Sequence, residues 1–365
     1  MTSTLATAAL AVSRSLPLSI ILKATVVLAV AFAAVTVARR CRAAIRHAIL
    51  SAAFAALAAL PFAIVVAPAS IAIGVHSSVD RAGHVDARDG VDLIAFDSRL
   101  AISSAASASI ADSHSRVSLA WLVWAAWLVG VAISFVPVAR TLFEFRRLRR
   151  TGSEWLIADI IARSGSGREA PPSLARFVLH DDVVMPLTFG TWQPVVAFPA
   201  AAARWDTDTI ENALAHEVEH VRRRDAIVHM ATRCICSAYW FHPVVWWAWR
   251  RLRLEAERAC DDVVITRSDR ATYAQQLVTL ARALGDCRIR HAPSVANCTD
   301  LGRRVMAVLD DRIPRGRLTR LPVIAVGAVA IATVVAVAPW RAVEASGGIA
   351  LGSRPLAVVT ERNAD

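Results

Sequence analysis

The sequence is short of charge. Charged residues make up 19% of its 365 positions and hydrophobic ones 56%, and the mean hydropathy is +0.46. An average soluble domain is near ~25% charged. The balance argues against a purely soluble enzyme and equally against a disordered chain. Lysine is nearly missing: Lys23 stands alone beside 40 arginines, and the net charge is +11. A basic excess can mean nucleic acid, but in so apolar a chain it points to the inner flanks of membrane helices. The six cysteines form no CxxC pair and no metal-finger spacing, which excludes a disulfide scaffold or zinc ribbon. No repeat recurs at a fixed period, so a solenoid is excluded too.

Long apolar runs are what the chain has in quantity. A membrane helix needs roughly 20 apolar residues, and four stretches qualify, at Leu16 to Ala38, Ala48 to Ile73, Leu119 to Ala139 and Leu321 to Trp340. The first is interrupted only by Lys23, which is expected to snorkel to the nearer interface. It is read as a membrane anchor and not a cleaved signal, because a second span follows at once. Pro61 and Pro68 predict kinks in the second, and Trp121, Trp124 and Trp127 an aromatic belt near the start of the third.

Arginine placement predicts the orientation. Arg39, Arg40, Arg42 and Arg46 lie between spans one and two without an acid. Arg140, Arg146, Arg147, Arg149 and Arg150 follow span three, and Arg312, Arg315, Arg317 and Arg320 precede span four. The 75–118 loop instead mixes acids with arginines. The positive-inside rule then puts the N-terminus outside, 39–47 inside, 75–118 outside, 140–320 inside and the tail outside. All six cysteines fall inside, as free thiols in a reducing compartment. The 75–118 loop, rich in Ser, Ala, Asp and Gly, is expected to be a poorly ordered linker or a small cap.

Residues 140–320 form the block large enough for a soluble domain. It opens with a basic amphipathic helix from Arg140 to Arg150, then a loop at Ser164 to Pro172. Phe177–Leu179 and Val195–Phe198 are predicted as the strands of a hairpin, and the rest as mostly helix. The strongest chemical signal is His216-Glu217-Val218-Glu219-His220, an HExxH. A helix puts positions i and i+4 on one face, so both imidazoles can reach one ion. Zinc accepts two such nitrogens and leaves room for a third ligand and a water. Glu217 stands beside them as the base for that water. Asp208 and Glu211 have the spacing of a capping box for this helix. The alternative is two core or surface histidines on an ordinary helix.

A second helix, LEAERACDD, carries Glu255, Glu257, Asp261 and Asp262. Glu257 is the candidate third ligand. Asp261, one turn further along the same face, is placed to accept the free N–H of a ligand histidine. The alternative here is a solvated charged face. Between the two helices, Ala226 to Trp249 is apolar and rich in tryptophan. If it crossed the bilayer, Glu257 and His216 would be on opposite sides. It is therefore read as two helices joined near Phe241–Pro243, buried or at the interface, with its tryptophans packed or anchoring. His229, Tyr239 and His242 are candidates for an oxyanion donor, and the role stays unassigned.

These residues, in this order, resemble the BlaR/MecR-type antirepressor metallopeptidases. The resemblance rests on the membrane layout together with PLTFG (Pro186 to Gly190), PVVAFP (Pro194 to Pro199), HEVEHVRRRD (His216 to Asp225), FHPVVWW (Phe241 to Trp247) and ERACDD (Glu257 to Asp262). It implies a mostly α integral membrane protein with four transmembrane helices and a cytoplasmic gluzincin-like α+β metallopeptidase domain. It implies Zn2+ held by His216, His220 and Glu257, with Glu217 as base. It also implies signal transduction at the inner membrane, a winged-helix repressor or the chain itself as substrate, and a homodimer as one possible assembly, without direct nucleic-acid contact. About 25 residues follow Trp340 and Lys23 is not in an SxxK motif, so the chain is expected to resemble the members that lack a penicillin-binding sensor. A Ste24/HtpX-like quality-control peptidase and a non-catalytic transmembrane receptor are the alternatives.

Overall fold

The computed structural model describes residues 16–66, 71–75, 97–155, 175–286, 298–317 and 320–344. Helix α1 (Leu16–Val37) ends in a short 3-10 turn at Ala38–Arg40, and Cys41 turns the chain back into α2 (Ala43–Val66). The apolar runs favour helix because a backbone without polar side-chain partners satisfies its own hydrogen bonds there. Pro61 lies inside α2, whereas Pro68 falls outside the described residues. Strand β1 (Ile71–Val75) pairs in parallel with β6 (Trp340–Glu344).

Helix α3 runs unbroken from Asp97 to Thr151. The expected loop is therefore helical from Asp97 onward, because its Ser- and Ala-rich stretch has no glycine or proline to stop the helix. The basic stretch Arg140–Arg150 is the same helix continued, as expected. By length and composition three helical stretches can cross a membrane: Leu18–Arg40, Ala43–Ile64 and Trp121–Thr151. Leu321–Val337, inside α9 (Arg320–Val337), is a shorter apolar helix.

A small mixed sheet follows α3. Its order is β2 (Ser153–Glu154), β3 (Arg176–His180), β5 (Val195–Pro199) and β4 (Leu187–Phe189). Strands β3 and β5 are parallel neighbours and β4 pairs antiparallel with the outer side of β5. The expected 177–198 hairpin is thus corrected. The chain passes through β4 before entering β5, so the edge open on that side belongs to β4. Gly190, with φ of 93°, takes the left-handed turn between β4 and β5 that a side chain would strain.

The remaining helices are α4 (Thr207–Arg223), α5 (Asp225–Ala238), α6 (Pro243–Val264), α7 (Arg270–Asp286) and α8 (Cys298–Leu309). Helices α5 and α6 are the two expected helices, joined through Tyr239–His242. The pair is packed into the apolar helices themselves. Cys236, Tyr239, Val245, Ala248 and Leu252 share one core with Ala24, Leu28, Leu50, Phe54, Leu57 and Leu60. The Tyr239 hydroxyl donates to the Leu57 carbonyl at 3.0 Å, and His242 Nε2 lies 3.0 Å from the Thr25 hydroxyl. On the α3 side, Trp127 donates to the Ala238 carbonyl, and Gly130 leaves space filled by the Trp240 indole. Arg233 lies over the rings of Trp246 and Trp249, which accounts for two of the tryptophans as packing.

Buried charge is paired. Glu255 is fully buried and meets Arg46 at 2.7 Å, with Arg251 and Arg258 alongside. This fastens α6 to the first turn of α2. Lys23 does not snorkel: it is buried and donates to the Ala338 carbonyl at 2.7 Å, at the end of α9. Among the described residues, Cys41, Cys234, Cys236 and Cys260 are free thiols.

Candidate metal centre

Helix α4 sets the first two donors. Its N-cap is Asp206, whose carboxylate accepts from the Thr209 backbone N–H at 2.8 Å. The expected box on Asp208 and Glu211 is corrected: the chain enters the helix two residues earlier, and Asp208 sits in the first turn. One face of α4 puts Val218 against Phe177, Val196 and Phe198 of the sheet. The other face turns His216 and His220 toward α6, which brings Glu257 and Asp261.

The two imidazoles have divided roles for their nitrogens. The Nε2 atoms face each other at 3.2 Å. Glu257 presents Oε2 at 3.5 Å from His216 Nε2 and Oε1 at 3.8 Å from His220 Nε2. The Nδ1 atoms point away, each to a carboxylate: His216 to Asp261 at 3.2 Å and His220 to Asp225 at 2.8 Å. A carboxylate on Nδ1 fixes the tautomer that leaves Nε2 free to bind a cation. Two imidazole nitrogens and a carboxylate, all within reach of one point, form a donor set that suits zinc. The residues fit the ion.

Further side chains complete the surroundings. Arg304 on α8 pairs with Glu257 at 3.0 Å and with both oxygens of Asp261 at 2.7 and 2.9 Å. The Tyr273 hydroxyl on α7 donates to Asp261 at 2.8 Å and lies 3.3 Å from His216 Nδ1. Arg223 pairs with Asp225 at 3.2 Å, while the Cys260 thiol and His47 Nε2 each approach it at 3.9 Å. Glu217 is buried and accepts a 2.7 Å hydrogen bond from the hydroxyl of Thr188, on edge strand β4.

The electrostatics follow from burial and pairing. Burial would raise the Glu257 carboxyl, but Arg304 and the histidines hold it well below the usual carboxylate range. Burial likewise opposes ionisation of Asp261, and Arg304 with His216 outweighs it. Without metal, burial disfavours the charged His216 imidazole, yet the Asp261 and Glu257 carboxylates raise it to about 10. Burial lowers His229 to about 4. The pocket is thus built around the anionic oxygens of Glu257 and Asp261.

The structure brings together His216, His220, Glu257 and Asp261, four of the residues that the sequence singles out; Glu217 follows His216 in the chain, and its carboxylate meets the Thr188 hydroxyl. Tyr239 and His242 are engaged with α2 and α1, away from these donors. Asp225, Tyr273, Arg304 and Thr188 were not selected. Asp225 lies two residues past the end of α4, off the helical spacing of the histidines. Arg304 and Tyr273 come from separate later helices.

The sequence pattern of the family described as BlaR1 peptidase M56 matches residues 16–308. The regulatory protein BlaR1 of Bacillus licheniformis is 22% identical over 152 residues, covering 41% of this chain and 25% of that protein. The matched stretch therefore spans about a quarter of that relative's length.

Proposed function

We propose that this chain, which belongs to the BlaR1 peptidase M56 family, is a membrane-bound zinc metallopeptidase of a signal-transduction system. Its reaction is hydrolysis of a peptide bond in a transcriptional repressor of the winged-helix type, in itself, or in both. The observation that carries this reading is the convergence of His216 Nε2, His220 Nε2 and Glu257 on one point, with Glu217 next to His216 in the chain. His216, His220 and Glu257 would hold the ion. Bound there, zinc would polarise the scissile carbonyl and lower the pKa of water toward about 7.

The chain's own residues supply the rest. Glu217 takes a proton from the attacking water and returns it to the leaving amine. Thr188 holds the Glu217 carboxylate through Oε2. Asp261 and Asp225 hold the imidazoles in the tautomers that aim Nε2 inward. An extended substrate would add to the edge of β4, which runs past Glu217 and would present the backbone to the base.

The site is assigned to the cytoplasmic face of the inner membrane. Asp225 and Glu255 meet His47 and Arg46 at the start of α2, next to the arginine-rich turn at Arg39–Arg42. Positive charge marks that end as cytoplasmic.

The test is to search the neighbouring reading frames for a small winged-helix repressor and to co-express it with this chain. Wild type should cleave it under inducing conditions. Glu217→Gln should lower cleavage by roughly 10²–10⁴-fold while retaining the metal. Loss of general membrane-protein turnover in Glu217→Gln, with the repressor unaffected, would favour a quality-control peptidase instead. Unchanged signalling in Glu217→Gln would favour a non-catalytic receptor.

A further inference from the structure

The donor residues lie on α4 and α6, but the contact that ties the third donor in place comes from α8. Arg304 is buried and places its guanidinium between Glu257 and Asp261. One amino group meets Glu257 Oε2 at 3.0 Å; the other, with Nε, grips both oxygens of Asp261. The planar fork thus spans two carboxylates one helical turn apart, an arrangement a lysine ammonium cannot reproduce. Because Asp261 also meets His216 Nδ1, one guanidinium is linked to two of the three donors.

Helix α8 is itself fixed from its far end. Val308 is buried with Val264, Ile265, Tyr273 and Leu277. Arg315 bonds the Ala307 carbonyl at 2.6 Å and Asp262 on α6 at 2.5 Å. Arg317 reaches Glu219, between the two histidines of α4, at 3.2 Å. Three arginines of segment 304–317 therefore clasp both donor helices immediately before α9 begins at Arg320.

We propose that Arg304 is a positioning residue of the metal centre, seating Glu257 and Asp261 together so that metal retention depends on where α8 lies. The proposal rests on the metallopeptidase reading above. It makes α8, and through it the segment entering α9, a control point for the donor set. A shift of α8 loosens Glu257 directly and His216 through Asp261.

The experiment uses full-length protein in detergent, loaded with zinc and titrated with a chromophoric chelator. Arg304→Gln should give up zinc with roughly 10–100-fold weaker affinity, the range for loss of a residue that orients a ligand. Arg304→Lys should fall between that variant and wild type, since it keeps the charge and loses the fork. Arg303→Gln should match wild type, because that side chain is exposed and, among the described residues, pairs with Asp300. With cobalt in place of zinc, Arg304→Gln should alter the visible absorption bands, a change that loosened packing elsewhere would not produce. If Arg304→Gln does not fold, Arg304→Lys carries the test. Zinc held by the Arg304 variants as tightly as by wild type, with an unchanged cobalt spectrum, would overturn the role of Arg304 alone. Wild type that takes up no zinc would overturn the metallopeptidase reading along with it.

Discussion

His220 and Asp225 meet at 2.8 Å, Nδ1 to Oδ2, across Arg224, the one residue that separates α4 from α5. Arg224 adopts the left-handed conformation, with φ of 56°, and this is what turns the carboxylate back toward the ring. Asp225 therefore does for His220 what Asp261 does for His216. Asp225→Asn should weaken zinc binding roughly 10–100-fold with little change in secondary structure. Chelator competition and circular dichroism check both halves of that expectation.

Thr188 ties the proposed base to the strand on which substrate would lie. Removing its hydroxyl leaves the Glu217 carboxylate without its 2.7 Å donor. Thr188→Val should lower the turnover of a peptide substrate about tenfold, and Thr188→Ser should restore most of it. Zinc content should be the same in all three proteins.

Proton release offers a direct look at the donor set. In the metal-free protein burial disfavours a charged His216, but Asp261 and Glu257 raise it to about 10, from an ordinary value of 6.5. A raised histidine stabilises the fold fully below 6.5 and loses that contribution as pH climbs through 10. Metal-free protein should accordingly melt at a lower temperature at pH 10.5 than at pH 7. Zinc must expel this proton, so its apparent affinity should rise about tenfold per pH unit between pH 7 and 9. Calorimetry in buffers of different ionisation enthalpy counts the protons released.

The Arg46–Glu255 pair predicts a stability effect. Glu255→Leu takes the carboxylate from the Arg46 guanidinium, whose side chain is 3% exposed, and leaves it the Arg39 and Cys41 carbonyls. A buried charge left without its partner costs about 3–5 kcal/mol. The double variant Arg46→Met with Glu255→Leu should recover part of the loss, since Arg251 and Arg258 still lack the Glu255 carboxylate, as read by thermal unfolding in detergent.

Gly130 predicts a packing effect. A Cβ there would meet the Trp240 indole. Gly130→Leu should push α3 off the α5–α6 pair at a cost of about 1–3 kcal/mol, the range for overpacking. Loss of the Trp127 contact with the Ala238 carbonyl should appear as a change in tryptophan emission.

Sequence alone indicated the helices and the core of the site, for particular reasons. The apolar runs declare themselves by length, and His216, Glu217 and His220 by one turn of helical spacing. Glu257 and Asp261 share a second such turn. The residues it could not supply are those joined by tertiary packing. Arg304 meets Asp261 from 43 positions away, and Thr188 meets Glu217 from a strand whose place at the sheet edge depends on a parallel pairing of β3 and β5. Likewise, the Ser- and Ala-rich stretch before span three has weak periodicity, yet nothing in it breaks the helix that α3 propagates.

The α5–α6 pair is held at both ends. Its tip is gripped by α1, α2 and α3, and its base, which carries Asp225 and Glu257, is fastened to the start of α2 through His47 and Arg46. Misplacing a reacting group by about 1 Å can already cost a hundredfold in rate. The apolar helices are thus the mould in which the donor residues are set.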